Sequence, residues 1–411
     1  MISSSLLLTR RTNQSKTGGE HHMETKKALP VLFAVMFFVM VGFGIIIPVL
    51  PFYAEELGAT PTQLGLLMAV YSLMQLLFSP IWGRVSDRIG RKPVMMIGIF
   101  GLAISFFLMA FASQLWMLFA ARIIGGLLSS ANMPTVTAYV ADITSPEDRG
   151  KGMGVVGASV GLGFILGPAI GGIFSESNLS TPFILSGVSS IITFFLVLFI
   201  LKESLPAEKR GEETGKKESM FKALNGPISI LFILQLFVSL SMAGLEATFA
   251  YFAAKRAGLG TVQLGYLFMI MGLAGAIVQG GLVGRLTKKY GEGAVIQLGI
   301  IISAIGFGLI LLIDSFTTAA IYLTIFGIGN GVIRPSVSAL LTKTSTTGHG
   351  NTTGLLSSFD SIGRIVGPPL GGWLFKTATG LPYISGLILS IIALILYQAY
   401  KVAISKKTIG V

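Results

Sequence analysis

Twelve apolar runs, most of them about 20 residues long, divide this chain of 411 residues. A run of that length crosses a bilayer as a helix, because lipid offers no partner to an open backbone hydrogen-bonding group. The runs lie near 29–52, 62–83, 94–112, 116–141, 150–174, 180–201, 227–254, 262–285, 293–313, 317–342, 350–375 and 380–402. Only 12% of the residues are charged and the mean hydropathy is +0.79. A soluble domain carries about 25% charged residues, so this chain could not cover a water-facing surface. Ten-residue alternating segments, the mark of a membrane barrel, do not appear. The expected fold class is an all-α membrane protein with twelve transmembrane helices.

Charge then sets the orientation. The net charge of +12 would fit a nucleic-acid partner, but its excess sits in short loops on one side, so no nucleic acid is expected. Arg84, Arg88, Arg91 and Lys92 lie in the second connection, and Arg149 and Lys151 in the fourth. Arg285, Lys288 and Lys289 follow the eighth span, and Lys401, Lys406 and Lys407 end the chain. The connections at 53–61, 113–115 and 175–181 carry no Lys or Arg, while Lys255, Arg256 and Lys376 are exceptions. Basic loops stay cytoplasmic, so both termini are expected there. The charge-dense stretch 202–226 reads as a cytoplasmic linker between a bundle at 29–201 and another at 227–402, with a cytoplasmic tail at 403–411. Residues 1–28 read as a polar tail. Within it, 1–22 read as a start-site artefact or a disordered tail, since Met23 opens a natural membrane-protein start. The absence of cysteine excludes disulfides and thiolate sites, and His21, His22 and His349 are too scattered for a metal cluster. No metal and no cofactor are expected.

The two bundles are copies. Gln63-Leu64-Gly65 returns as Gln263-Leu264-Gly265, Gly83-Arg84 as Gly284-Arg285, and Pro134-Thr135-Val136-Thr137-Ala138 as Pro335-Ser336-Val337-Ser338-Ala339. The offset stays at about 200 residues. Six spans per copy keep the two in the same orientation. Parallel repeats about an axis along the membrane normal, with a site between them at mid-membrane, form a transporter architecture.

Four motifs stand out. GRVSDRIGRKP, from Gly83 to Pro93, joins the second and third spans. Its glycines allow a tight turn, and Asp87 can sit at a helix N-terminus, where negative charge is favoured. GVVGASVGLGFILGPAIGG places Gly154, Gly163, Gly167, Pro168, Gly171 and Gly172 in the fifth span. Glycines three and four apart leave a side-chain-free groove for a neighbouring helix, and Pro168 bends the helix. The same skeleton returns at Gly354, Gly363, Gly367, Pro368, Gly371 and Gly372. LFAARIIGGLLSSA puts Arg122 inside the fourth span, where a cation is costly and functional by default; snorkelling to the outer surface is the alternative. GFGIIIPVLPFY, from Gly42 to Tyr53, carries Pro48 and Pro51 at the end of the first span.

Together these residues resemble the major facilitator superfamily, and within it the twelve-span drug:proton antiporters, over essentially the whole chain from about residue 29. The resemblance implies two pseudo-symmetric six-helix bundles. It also implies that Gly83, Asp87, Arg88, Gly90, Arg91 and Lys92 form a cytoplasmic gate latching the halves. It makes the fifth-span glycines the antiporter motif, ties Arg122 to proton coupling, and has Pro48 and Pro51 ending the first span as in the family's drug exporters.

Glu246 is the leading candidate for coupling. It lies within the seventh span, with no basic residue in that span before Lys255. A charged carboxylate there costs on the order of 3 kcal/mol. Such a group holds a proton or a cationic substrate, but not easily both, and that competition is the physics of antiport. A basic partner on another helix is the alternative. Asp360 stands four residues before Arg364, so it either couples protons or only pairs with that arginine. Arg334 and Asp142 read as gate or anchor charges near the cytoplasmic ends. Gln235 and Gln279 read as hydrogen-bonding groups between helices. Phe43, Phe249, Tyr251, Asn132 and Asn330 are expected with Glu246 around the substrate cavity. The chain is read as a bacterial inner-membrane exporter of amphipathic, often cationic drugs, driven by the proton gradient and functional as a monomer. The alternatives are a narrow exporter, for tetracycline-metal complexes or a single metabolite, and a proton-coupled importer. No clustered nucleophile-base or metal constellation is present, so no enzyme activity is expected.

Overall fold

Among the described residues, twelve long helices build the computed structural model. They are α1 Ile2–Glu56, α2 Pro61–Ile89, α3 Arg91–Ala110, α4 Leu115–Ile143, α5 Arg149–Phe174 and α6 Thr181–Ile200, then α7 Ser229–Ala257, α8 Thr261–Tyr290, α9 Glu292–Ile310, α10 Phe316–Thr344, α11 His349–Thr377 and α12 Leu381–Ile409. The structure describes the backbone of residues 2–211, 224, 226–344 and 349–409, and the side chains of 28–208, 210–211, 224, 226–344 and 352–404. Most of the 202–226 linker and the side chains of residues 1–22 and His349, on which three of the expectations above rest, lie outside these. Among the described residues eleven helices are long and apolar enough to cross a membrane, the first from Ala28 to Glu56. The exception is α11, whose Asp360, Arg364 and serines make it polar. It is packed between α7 and α2, where protein rather than lipid meets one side of it.

The repeat read in the sequence is a repeat of packing. In the first bundle α1 lies on α5 and α6, α3 on α4 and α6, and α2 on α4. In the second, α7 lies on α11 and α12, α9 on α10 and α12, and α8 on α10. Two crossings join the bundles, α5 on α8 and α2 on α11. The Gln-Leu-Gly copies sit at these crossings. The carboxamide oxygens of Gln63 and Gln263 accept from the backbone N–H groups of Thr60 and Gly260, at 2.9 and 3.1 Å, capping the starts of α2 and α8. Two residues on, Gly65 and Gly265 pass the opposite bundle.

Those crossings have no room for a side chain. A Cβ on Gly265 would fall 2.5 Å from the carbonyl oxygen of Pro168, and one on Gly172 would fall 2.6 Å from that of Thr261. The mirrored seam brings Gly65 against Pro368, and Gly372 against Pro61 and Thr62. Two hydrogen bonds close the same end: Ser175 donates to the Thr261 hydroxyl at 2.7 Å and Tyr251 to the carbonyl of Pro51 at 2.9 Å. Gly163, Gly167 and Gly171 serve the groove expected of them, but toward α1 of their own bundle. Gly154 does not; nothing lies within 4 Å of where its Cβ would stand. The same holds for Gly157 and Gly161 on α5 and for Gly280, Gly281 and Gly284 on α8. The bundles therefore meet at one end and stand apart at the other.

The splayed end holds the second connection, which is shorter than its motif implies. Residues 83–89 are helical, and Gly90 alone separates α2 from α3. Its φ of +113° is a conformation that glycine adopts without a Cβ penalty. Asp87 is in the last turn of α2 and not at a helix N-terminus. It pairs with Arg91 at 2.5 Å, and Arg91 also reaches Asp142 at 3.1 Å. The anion at the start of α3 is instead Glu203, whose carboxylate accepts from the backbone N–H groups of Arg91 and Lys92 at 2.8 and 3.1 Å. All partners described for this cluster belong to the first bundle or the stretch after α6, so the expected latch between halves is not made in this conformation. In the second bundle Gly291, with φ +80°, makes the matching turn, and Glu292 pairs with Lys343. These two occupy the repeat positions of Arg91 and Asp142 with the signs exchanged. In α1 the helix runs through Pro48 and Pro51 to Glu56, because neighbouring helices enclose the backbone that the prolines leave unpaired.

Two outcomes are expected. Glu203→Gln removes the charge that caps α3 and lowers stability by ~1 kcal/mol, read as a fall in melting temperature in detergent; an unchanged value would leave Glu203 without a capping role. Gly265→Val forces the closed end apart. In this cysteine-free chain a Ser175→Cys reporter, buried at that end, should then label faster with an impermeant maleimide, and an equal labelling rate would mean that the contact does not hold the end shut.

Candidate functional site

A cavity of ≈ 370 Å³ opens between the bundles on the splayed side of the closed end. Pockets of about 300–1,000 Å³ hold drug-sized ligands. Its two walls differ in kind. On α5 they are apolar, with Val160, Phe164 and Ile165. On α7, α10 and α11 they carry Glu246, Arg334, Asp360 and Arg364. Val160 and Phe164 are the repeat counterparts of Asp360 and Arg364, so the same repeat positions are apolar in one half and ionic in the other.

Glu246 is buried, its side chain 2% exposed, and its Oε2 lies 3.6 Å from Arg364 Nη1. Its Oε1 has no hydrogen-bond partner among the described residues. The carboxylate that looked unpartnered along its own span thus has a basic neighbour on α11. Asp360 is better provided for. It lies 3.8 Å from Arg364 Nε and 3.5 Å from Arg334 Nη1, and it accepts from Gln235 Nε2 at 3.1 Å. Arg334, expected near a helix end, is instead part of the cavity wall. α8 loosens into a π-turn at Val278–Leu282, the kind of interruption common at functional sites, and Gln279 in that turn lines the cavity together with Asn330.

The other expected cavity residues lie elsewhere. Phe249 is fully buried against Phe268. Tyr251 spends its hydroxyl on Pro51 at the closed end. Asn132 is buried beside Gly98, where α4 is interrupted between Ser129 and Asn132, and neither amide atom has a partner among the described residues. Phe43 stands one layer back, its ring centroid 6.2 Å from both Tyr71 and the cavity residue Phe164. Their spacing put them on the right helices, but periodicity in an almost uniformly apolar span does not mark which face looks inward.

Arg122 does not snorkel. It is 2% exposed, donates from Nε to the carbonyl of Leu67 at 3.2 Å, and lies 4.1 Å from the Tyr71 ring centroid. Cation–π contact and a carbonyl replace the carboxylate that a buried guanidinium would otherwise need. Tyr71 is fixed in turn by Ser129 at 2.8 Å and Gln75 at 3.2 Å. Arg122 lies outside the cavity wall. Rings of Tyr71, Phe43 and Phe164 fill the space between. Arg364, Arg334, Gln235 and Gln279 are the wall residues that sequence reasoning undervalued. The signal available was that each is polar within an apolar run.

Similarity to known proteins agrees with this architecture. "Multidrug resistance protein 1" of Bacillus subtilis (strain 168) is 32% identical over 381 residues, covering 92% of this chain and 98% of that protein. "Quinolone resistance protein NorA" of Staphylococcus aureus (strain MSSA476) is 29% identical over 350 residues, covering 85% and 90%. In fold, the chain matches the crystal structure of a bacterial homolog of the human lysosomal transporter Spinster, in an inward-facing and unoccupied conformation, with a TM-score of 0.76 at 15% identity over 93% of this chain and 98% of that one. Residues 32–293 and 280–408 match the sequence profile of the Major Facilitator Superfamily. With paired six-helix bundles, glycine crossings and a cavity between them, the chain belongs to the Major Facilitator Superfamily.

Proposed function

We propose that this protein is a proton-coupled antiporter that exports amphipathic, often cationic drugs by alternating access. The observation that carries the reading is Glu246, a buried carboxylate with a free oxygen at the edge of a drug-sized cavity between two bundles. Relatives named for multidrug and quinolone resistance support it. The basic connections favour a cytoplasmic splayed end, termini and linker in a bacterial plasma membrane, and the cavity then opens inward. Substrate enters from the cytoplasm or inner leaflet and lies against the apolar α5 wall. Closure of the splayed end and opening of the Gly–Pro crossings turns the cavity outward. A proton from outside then takes Glu246, and the substrate leaves. Arg122 contributes a second buried charge to the same cycle, Asp360 holds the arginines of the wall, and the Asp87–Arg91 cluster is released to latch the halves when the inner end closes. The proton gradient drives the cycle without a cofactor, and one chain contains the complete site.

Purified protein in liposomes with an internal pH dye tests this. Ethidium added to the wild type under an imposed proton gradient should move protons, and Glu246→Gln should reduce that movement to the protein-free background. Equal proton movement in both would remove Glu246 from the coupling and direct the search to Asp360.

A further inference from the structure

The charged groups of the cavity are layered. The two carboxylates lie behind, with the Glu246 and Asp360 side chains 2% and 13% exposed. The two guanidiniums stand in front, with Arg364 and Arg334 33% and 53% exposed. A ligand entering from the splayed end therefore meets arginine before it meets acid.

Arg364 makes no close hydrogen bond to either carboxylate. Its contacts of 3.6 and 3.8 Å exceed the about 2.7–2.9 Å of a formed charge-assisted hydrogen bond, so the guanidinium is shared between two anions. Asp360 keeps Arg334 and Gln235 if Arg364 leaves it. Glu246 has no other described partner. The charges also balance, two against two. A simple cation that takes Glu246 must displace Arg364 and leave its charge partly unpaired, which is costly away from water. A molecule with both a cationic and an anionic group exchanges one ion pair for two.

We infer that Arg364 is a specificity-determining residue: a tethered cation that substrate must displace from Glu246, and whose guanidinium then receives an anionic group of the same molecule. The preferred substrates are amphipathic zwitterions, with the apolar body on Val160, Phe164 and Ile165. This rests on the exporter reading above. It keeps the exchange with protons intact. A proton on Glu246 leaves Asp360 facing Arg334 and Arg364, an excess of positive charge that repels the cationic end. No other charged side chain lines the cavity from the elements packed on α7.

Rhodamine B, which carries a carboxylate and a delocalised cation, and its ethyl ester, which carries only the cation, are the probes. Binding of each to the full-length protein in nanodiscs is measured for wild type, Arg364→Gln and Arg364→Lys, each checked for monodispersity. Comparing one dye across variants cancels its partition into lipid. Arg364→Gln should weaken rhodamine B about tenfold (about 1.4 kcal/mol) and tighten the ester, while Arg364→Lys, which keeps the charge, should retain the wild-type preference for the acid. An acid-to-ester ratio that is the same in Arg364→Gln and wild type overturns the inference. So does wild-type protein that binds neither dye yet still couples ethidium to protons. If ethidium coupling is also absent, the exporter reading beneath it fails as well.

Discussion

Backbone lies on backbone where the two bundles meet, and the rest of the molecule is arranged around that contact. Lipid gives no hydrophobic push between helices, so close packing has to supply the attraction. Glycine facing a proline carbonyl allows the nearest approach that two helices can make. Because Gly265 meets Pro168 at one seam and Gly65 meets Pro368 at the other, the contact is doubled about the pseudo-two-fold axis. It holds that end shut in this conformation. The glycines farther along α5 and α8 face open space, and Gly161 among them lines the cavity.

Duplication made the frame symmetric, and divergence made the site. Each half retains the capping glutamine, the crossing glycine and the Gly-Pro stretch, which serve packing and tolerate little change. The cavity positions carry no such duty. Val160 and Phe164 became one apolar wall, and Asp360 and Arg364 at the related positions became part of an ionic one. The turns at the splayed end diverged in the same manner, with Arg91–Asp142 in one half and Glu292–Lys343 in the other. Exchanging the signs keeps each half internally paired and leaves the two clusters electrostatically distinct.

Much of this was legible in the residues. Apolar run lengths gave twelve helices, and the offset repeats gave two parallel halves. Glu246 was singled out because a carboxylate in an apolar run has few structural reasons to be there, and it does line the cavity. Its partner could not be read, since Arg364 lies more than one hundred residues away on another helix. Glu203 was missed for the same reason: it folds back from the end of α6 to the start of α3.

By itself the sequence determined the class, the span count and the internal symmetry, since each follows from length, composition or spacing along one chain, and its motifs carried the resemblance to the family. Tertiary structure alone decided which helix faces turn toward the cavity and which end of the bundle is shut. It also decided which opposite charges meet. Those outcomes depend on how helices rotate and cross, and a helix that is apolar all the way round, with lipid or protein on every side, has no polar face to record that rotation.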